Sequence, residues 1–161
     1  MIKKISLIII ASFFLSQKTN SKDFDMDRSL IEKGIINEYF EVKNLTKLES
    51  LLWSMNDNAI KRFPYKNKDI IFYNSWIGPN GLSIKSSFIG FNSKEDLLSL
   101  GSKDESLQKL IYNISCEIVY TEPRLFLSNF FKITLKGNIE IIFLDENMNI
   151  YMKSNNNIKE C

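Results

Sequence analysis

Apolar residues recur at helical spacing in three segments of the chain. In the clearest one, Thr46 stands three residues before Glu49, which is a capping-box spacing, and Pro64 ends the pattern. The apolar positions fall on one stripe of a helix: Leu48, Leu51, Leu52, Met55 and Ala59. The polar face carries Lys47, Asn56, Asn58 and Lys61. This segment is therefore predicted to be a helix whose apolar stripe packs on another element.

Two further segments show the same spacing. In residues 27–42, Ser29 precedes Glu32 by three, and the apolar positions are Ile31, Ile35, Tyr39 and Val42. Gly34 weakens this helix, and its end, residues 38–42, could instead be a strand. In the third segment, Ser102 precedes Glu105 by three, and the apolar positions are Leu107, Leu110, Ile111, Ile114 and Ile118. The third pattern predicts a helix with one narrow apolar stripe.

Segments rich in β-branched and aromatic residues predict a sheet. Residues 69–78 and 81–91 have this composition and are joined by Gly78-Pro-Asn-Gly81, a turn sequence. In the second segment, apolar Leu82, Ile84 and Phe88 alternate with polar Ser83, Lys85 and Ser87. The alternation predicts one buried face and one solvated face.

The last third of the chain continues the sheet. Residues 131–136 alternate between apolar and polar, residues 139–144 are mostly apolar, and the turn "DENMN" follows at residues 145–149. The polar tail from Ser154 to Cys161 would be disordered if nothing held it. The whole pattern predicts one α+β domain, with two or three helices packed on a four- to five-stranded, mainly antiparallel sheet.

The N-terminal segment has the three parts of a secretory signal peptide. Two lysines precede an apolar run from Ile5 to Leu15, and a polar stretch follows. The run is shorter than the roughly 20 apolar residues that span a bilayer, and no cysteine stands directly after it to carry a lipid. We therefore expect residues 1–21 to be a signal peptide cut between Ser21 and Lys22. Residues 22–161 would then be one periplasmic or secreted domain without a stable membrane anchor.

Removal of this segment changes the charge of the protein. The full chain has 21 basic and 19 acidic residues, and the segment contains Lys3, Lys4 and Lys18 but no acid. The mature chain would have 18 basic and 19 acidic residues, a net charge of −1. Such a chain offers no electrostatic reason to bind nucleic acid or an anionic membrane.

The chain has two cysteines, Cys116 and Cys161. In an oxidising compartment an even cysteine count is normally a disulfide count. Nine helical residues place Cys116 about 180° from Leu107, on the face away from the core, where a returning tail could reach it. We therefore predict a Cys116–Cys161 disulfide that holds the tail across the solvent-facing side of the third helix. Cys116 is then not expected to be a nucleophile, a metal ligand or a buried thiol.

The chain contains no histidine, which excludes Ser-His-Asp triads, Cys-His pairs and His-ligated metals. The acidic stretches "DFDMD" and "DENMN" lack the glycine and glutamate of an EF-hand, so neither predicts a metal site. No cofactor is expected. Five acids could converge in space as a hydrolase site, although no spacing indicates it: Asp69, Glu117, Glu122, Glu140 and Asp145.

Aromatic residues are the remaining candidates for function. Core packing accounts for most of them. Tyr73 and Trp76 lie on the predicted hairpin, however, and both faces of its first strand are apolar. One of these faces is therefore a possible binding surface, unless a helix covers each of them.

From Phe63 to Ile150 the order of "FPYKNKD", "GPNGLSI", "NISC" and "FLDENMNI" resembles small exported bacterial proteins of uncharacterised function, apart from an extra stretch at residues 126–132. The resemblance implies a bacterial exported domain and carries no catalytic residue. We therefore expect a non-enzymatic module that binds another envelope or secreted protein, as an inhibitor or immunity protein or as an accessory subunit of a surface or secretion assembly. The alternatives are a small apolar-ligand-binding protein and a carboxylate-dependent hydrolase.

Overall fold

The computed structural model describes residues 25–66, 70–99 and 104–161. Its centre is a sheet in the order β1-β2-β3-β4-β5. The strands are β1 (Tyr65–Lys66), β2 (Ile70–Gly78), β3 (Gly81–Phe88), β4 (Asn138–Leu144) and β5 (Ile150–Asn157). Neighbouring strands are antiparallel, except that β3 and β4 are parallel. The α+β class and the mainly antiparallel sheet are confirmed, whereas the predicted signal peptide and its cut between Ser21 and Lys22 lie outside the described residues.

Helices precede and interrupt the strands. They are α1 (Met26–Glu32), α2 (Leu45–Ile60), α3 (Lys94–Ser99), α4 (Asp104–Thr121) and α5 (Pro123–Phe126), with a π-helical turn at Phe130–Thr134 and a 3₁₀ turn at Ile158–Glu160. The third predicted helix corresponds to α4, and Leu107, Ile111, Ile114 and Ile118 are buried as its stripe predicts. The sequence pattern missed α3. With six residues it is too short to show a helical period.

The two faces of the sheet have different surroundings. One face, here called the inner face, packs with the helices in a single apolar cluster that includes Phe72, Ile77, Leu82, Ile84, Ile139, Ile141 and Phe143. Ile142 and Leu144 point to the other side of β4 and, although buried, lie outside that cluster. The alternation along the strands therefore separates a core-facing side from a second side, called the outer face below.

Helix α2 follows the sequence prediction closely. It begins at Leu45, because the side chain of Asn44 accepts a hydrogen bond from the backbone N–H of Lys47 at 2.9 Å. Asn44 thus takes the capping position predicted for Thr46. Four of the five stripe residues are buried, namely Leu48, Leu52, Met55 and Ala59, and Leu51 packs at the edge of the core.

The first predicted helix is wrong beyond Glu32. Helix α1 is capped by Asp25 rather than Ser29, and Gly34 adopts φ 65°, a left-handed conformation that ends the helical path. The chain then turns back so that Ile36 and Val42 form an antiparallel bridge. The alternative interpretation of residues 38–42 as a strand is met only at Val42, because residues 38–40 form the turn itself, with Tyr39 79% exposed.

The strand predicted at residues 131–136 is also wrong, because the π-helical turn occupies it. The Asp27 carboxylate of α1 accepts hydrogen bonds from the backbone N–H groups of Asn129 and Phe130, both at 2.8 Å. The turn also buries the consecutive residues Phe130 and Phe131, which a strand would send to opposite faces. Tertiary capping and burial therefore override the local alternation.

Candidate binding surface

The outer face carries ordered rows of mostly polar side chains across four strands. One row runs Trp76, Ser83, Glu140, Asn155, and the next runs Asn74, Lys85, Ile142, Lys153. Most of these side chains are exposed or half-buried, whereas Ile142 is only 7% exposed. Because neighbouring strands lie about 4.8 Å apart, each row extends roughly 14 Å. The two rows thus form a largely solvated surface with an aromatic residue at one end.

Two tryptophans meet at that end. Trp53 projects from α2 and Trp76 from β2, with ring centroids 5.7 Å apart and planes at 86°, an edge-to-face pair. Trp53 is 65% exposed and Trp76 43% exposed. These are the two tryptophans of the chain. The pair therefore presents a large aromatic area to solvent beside the polar rows.

Asn56 fixes α2 beside β2. Its side-chain amide donates to the carbonyl of Ile77 at 2.8 Å, and its side-chain oxygen accepts from the Ile77 N–H at 2.7 Å. The prediction that Asn56 lies on a polar face is wrong, because the residue is fully buried. The two-residue strand β1 pairs only with Phe72 and Ile71. Farther along this edge of β2, the side chain of Asn56 thus makes the backbone hydrogen bonds that a neighbouring strand would otherwise make.

The two aromatic residues predicted for this hairpin have different environments. A bulge between Phe72 and Asn74 interrupts β2 at Tyr73. The half-buried Tyr73 has its hydroxyl 3.0 Å from the Ser87 hydroxyl, and Ser87 is buried rather than solvated as predicted. Trp76 is exposed. Trp53 was missed as a surface residue, although its position outside the stripe of Leu48, Leu52 and Met55 could have indicated it.

Charged groups of both signs occupy the rows. Glu140 accepts a hydrogen bond from the Ser83 hydroxyl at 3.0 Å. Lys85 and Lys153 are exposed and flank Ile142 from the two neighbouring strands. Long lysine side chains can cover a neighbouring apolar residue with their aliphatic stems while the ammonium group stays in water.

The structure joins Cys116 of α4 to Cys161, with Cα atoms 5.3 Å apart. The Tyr120 hydroxyl donates to the Cys161 carbonyl at 2.8 Å and holds the same end of the chain. The predicted tail differs in one respect: Ser154–Asn157 belong to β5, so only the residues after them cross to α4. Pairing with β4 orders the polar segment that the sequence left without structure.

Two of the acids considered for hydrolysis, Glu140 and Asp145, lie too far apart to act as a glycosidase pair. Five residues of extended chain separate Glu140 from Asp145 by about 17 Å, beyond the roughly 5–10 Å of glycosidase carboxylates. Burial raises the pKa of Glu122, and the nearby charge is Arg124, which opposes that rise, rather than a second acid. Glu117 is exposed on α4, and Asp69 lies outside the described residues.

Both acidic stretches serve local structure. In "DENMN", backbone N–H groups of Asn147 and Asn149 donate to Asp145 at 2.9 and 2.7 Å, and the Asn149 hydrogen bond is the main cause of a lowered Asp145 pKa. In "DFDMD", Asp25 caps α1 and Asp27 caps the π-helical turn. Within residues 25–66, 70–99 and 104–161, no three His, Cys, Asp or Glu side chains are grouped as metal ligands.

Two hollows in the structure are open to solvent. One, of about 560 Å³, is lined by Lys33, Ile35, Lys47, Ser50 and Leu51. The other, of about 310 Å³, is lined by Ile31, Ile36, Asn37, Glu38, Tyr39 and Lys43. Both lie around the connection between α1 and α2, and neither tryptophan is among their lining residues. Across the described part of the chain, no helix is both long and apolar enough to span a bilayer.

Comparisons with known proteins add little. No protein-family model matches the chain, and no curated protein matches it. A solved structure of a presumed secreted protein from Pseudomonas aeruginosa is similar, with a TM-score of 0.48 and 13% sequence identity over 72% of this chain and 94% of that one. At these values the likeness assigns neither a fold family nor a function.

Proposed function

We propose that this protein is an exported, non-enzymatic module that binds another protein of the bacterial envelope through its outer face. The observation that carries the proposal is the exposed pair of Trp53 and Trp76. Tryptophan is strongly buried on average, and where it lies in a protein interface it is often an energetic hot spot. Two indoles held together at the surface therefore favour a contact site.

The module is built to keep this surface rigid. The two hydrogen bonds of buried Asn56 hold α2 against β2, so that Trp53 and Trp76 keep their relative positions. A preorganised surface loses little conformational entropy when a partner binds. An inhibitor or immunity protein against an envelope-acting toxin and an accessory subunit of a surface or secretion assembly would both use such a surface.

Binding of a small apolar ligand is the second function to weigh. It would need an enclosed apolar pocket, and the two hollows described above are open and lined partly by polar and charged side chains. A solvated surface with an aromatic end suits a macromolecular partner better. The proposal therefore assigns the function to the outer face and leaves the hollows without a role.

Affinity capture from an envelope extract of the source bacterium tests the proposal. Wild-type protein, the double variant Trp53→Ala/Trp76→Ala and the control Ile133→Ala are immobilised, and bound proteins are quantified by mass spectrometry. Ile133 is a matched control because it is 53% exposed on the π-helical turn. We expect at least one protein to bind the wild type and the control but not the double variant. Equal capture by all three, with each variant folded by circular dichroism, would refute the proposal.

A further inference from the structure

The two lysines of the outer face have no ionic partner in the described part of the chain. Arg28 pairs with Glu32 and Lys61 with Asp57, and neither ion pair includes Lys85 or Lys153. Lys85 on β3 and Lys153 on β5 are each one strand spacing from Ile142 on β4, on opposite sides of it. Their backbone positions are therefore about 10 Å apart. Two solvated cations lie side by side on a surface that also holds an aromatic pair.

The remaining charge of the two rows does not neutralise them. Glu140 is the acid in these rows, so that the two lysines stand against one carboxylate and the rows keep an excess of positive charge. The outer face therefore carries a local positive charge on a mature chain whose predicted net charge is −1. A surface whose charge is opposite in sign to the net charge of the molecule attracts and orients a ligand whose charge is opposite to that of the surface.

We propose that the partner presents an acidic segment to this face. Carboxylates of the partner would contact the ammonium groups of Lys85 and Lys153, and an apolar or aromatic side chain would pack on Trp53 and Trp76. This inference rests on the proposed function, because it specifies the partner's chemistry for the same surface. It adds that recognition depends on charge as well as on aromatic contact.

Two other occupants fit the charges less well. A nucleic acid would need several lysines or arginines along its phosphate track, and this face offers two. A second copy of this chain would bring the same two rows, in which two lysines stand against one acid, Glu140. Juxtaposing two copies of the face would thus bring lysines towards lysines, which is unfavourable.

Intrinsic fluorescence provides a direct assay, because both tryptophans of the chain belong to this surface. The probes are short synthetic peptides of alternating glutamate and tyrosine and, as the opposite-charge control, of alternating lysine and tyrosine. We expect a saturable change in tryptophan emission with the glutamate peptide and none with the lysine peptide. We also expect binding to weaken when salt is raised to about 1 M, where the screening length is about 3 Å.

Reversal of the charges of Lys85 and Lys153 distinguishes recognition of an acidic segment from nonspecific binding. Lys85→Glu/Lys153→Glu should bind the glutamate peptide about tenfold or more weakly, since exposed attractions become repulsions. The control Lys43→Glu/Lys109→Glu changes the net charge equally at exposed positions outside the outer face and should bind like the wild type. Absence of peptide binding, equal binding of both peptides, or equal loss in both double variants would overturn the inference.

The two proposals fail in different ways. If envelope capture requires the tryptophans but survives Lys85→Glu/Lys153→Glu, the acidic-segment inference is wrong and the proposed function stands. If capture is unchanged by removal of both tryptophans, the proposed function is wrong whatever the peptides do.

Discussion

Replacement of Asn56 by alanine tests how the binding surface is held together. The side chain is fully buried and makes two hydrogen bonds to the backbone of Ile77. Asn56→Ala leaves one buried N–H and one buried C=O without a partner, and each such group costs about 1–3 kcal/mol. We therefore expect the free energy of unfolding to fall by about 2–5 kcal/mol, a large share of the stability of a domain of this size.

Urea denaturation followed by tryptophan fluorescence is a suitable assay, because Trp53 lies on α2 and Trp76 is adjacent to Ile77. The control is Asn58→Ala on the same helix, where the half-buried side chain makes no such pair of bonds and the expected change is about 0.5 kcal/mol or less. A loss below about 1 kcal/mol for Asn56→Ala, or equal losses for both variants, would refute the role assigned to Asn56.

Three further predictions concern the rest of the fold. A thiol titration of the non-reduced protein should find no free sulfhydryl, and Cys116→Ser/Cys161→Ser should cost about 4 kcal/mol in urea denaturation, from the loop entropy of a cross-link spanning 45 residues; two free thiols would contradict the pairing. Asp27→Ala should cost about 1–2 kcal/mol by uncapping the π-helical turn, and an unchanged midpoint would contradict this. The raised pKa of Glu122 means that the folded state binds its proton more tightly than the unfolded state, so this residue's contribution is lost as pH rises through that pKa. Glu122→Gln should therefore flatten the fall of stability with pH above about 4.5, and an unaltered pH profile would contradict the assignment.

The sequence predicted those elements in which the local residue pattern agrees with the tertiary packing. Helix α2 has its apolar stripe and Pro64 in register, although Asn44 rather than Thr46 caps it. The β2–β3 hairpin has its turn between Gly78 and Gly81, where φ at Gly81 is 108°. That glycine is also required by space, because a Cβ there would lie 2.0 Å from the Asn138 carbonyl oxygen.

Predictions failed where a distant residue decides the local structure. The π-helical turn depends on Asp27, about a hundred residues away in the chain, and no local pattern encodes that contact. The burial of Asn56 likewise depends on the unpaired edge of β2. A polar residue in a helix normally indicates a solvated face, and only the sheet topology shows that this one bonds to a strand.

The candidate surface was predicted only in part. Trp76 could be placed on a hairpin face from alternation, and Trp53 could be placed outside the α2 stripe. Their pairing at 5.7 Å required knowledge of how α2 sits on β2. The row of Lys85, Ile142 and Lys153 required the parallel pairing of β3 with β4, which short-range patterns do not specify.

Comparison of envelope capture by the wild type, Trp53→Ala/Trp76→Ala and Ile133→Ala tests the central claim most directly. We predict that a protein retained by the wild type and by Ile133→Ala is lost from the tryptophan double variant, although all three remain folded. Retention of the same proteins by the double variant would contradict the assignment of the outer face as the binding surface.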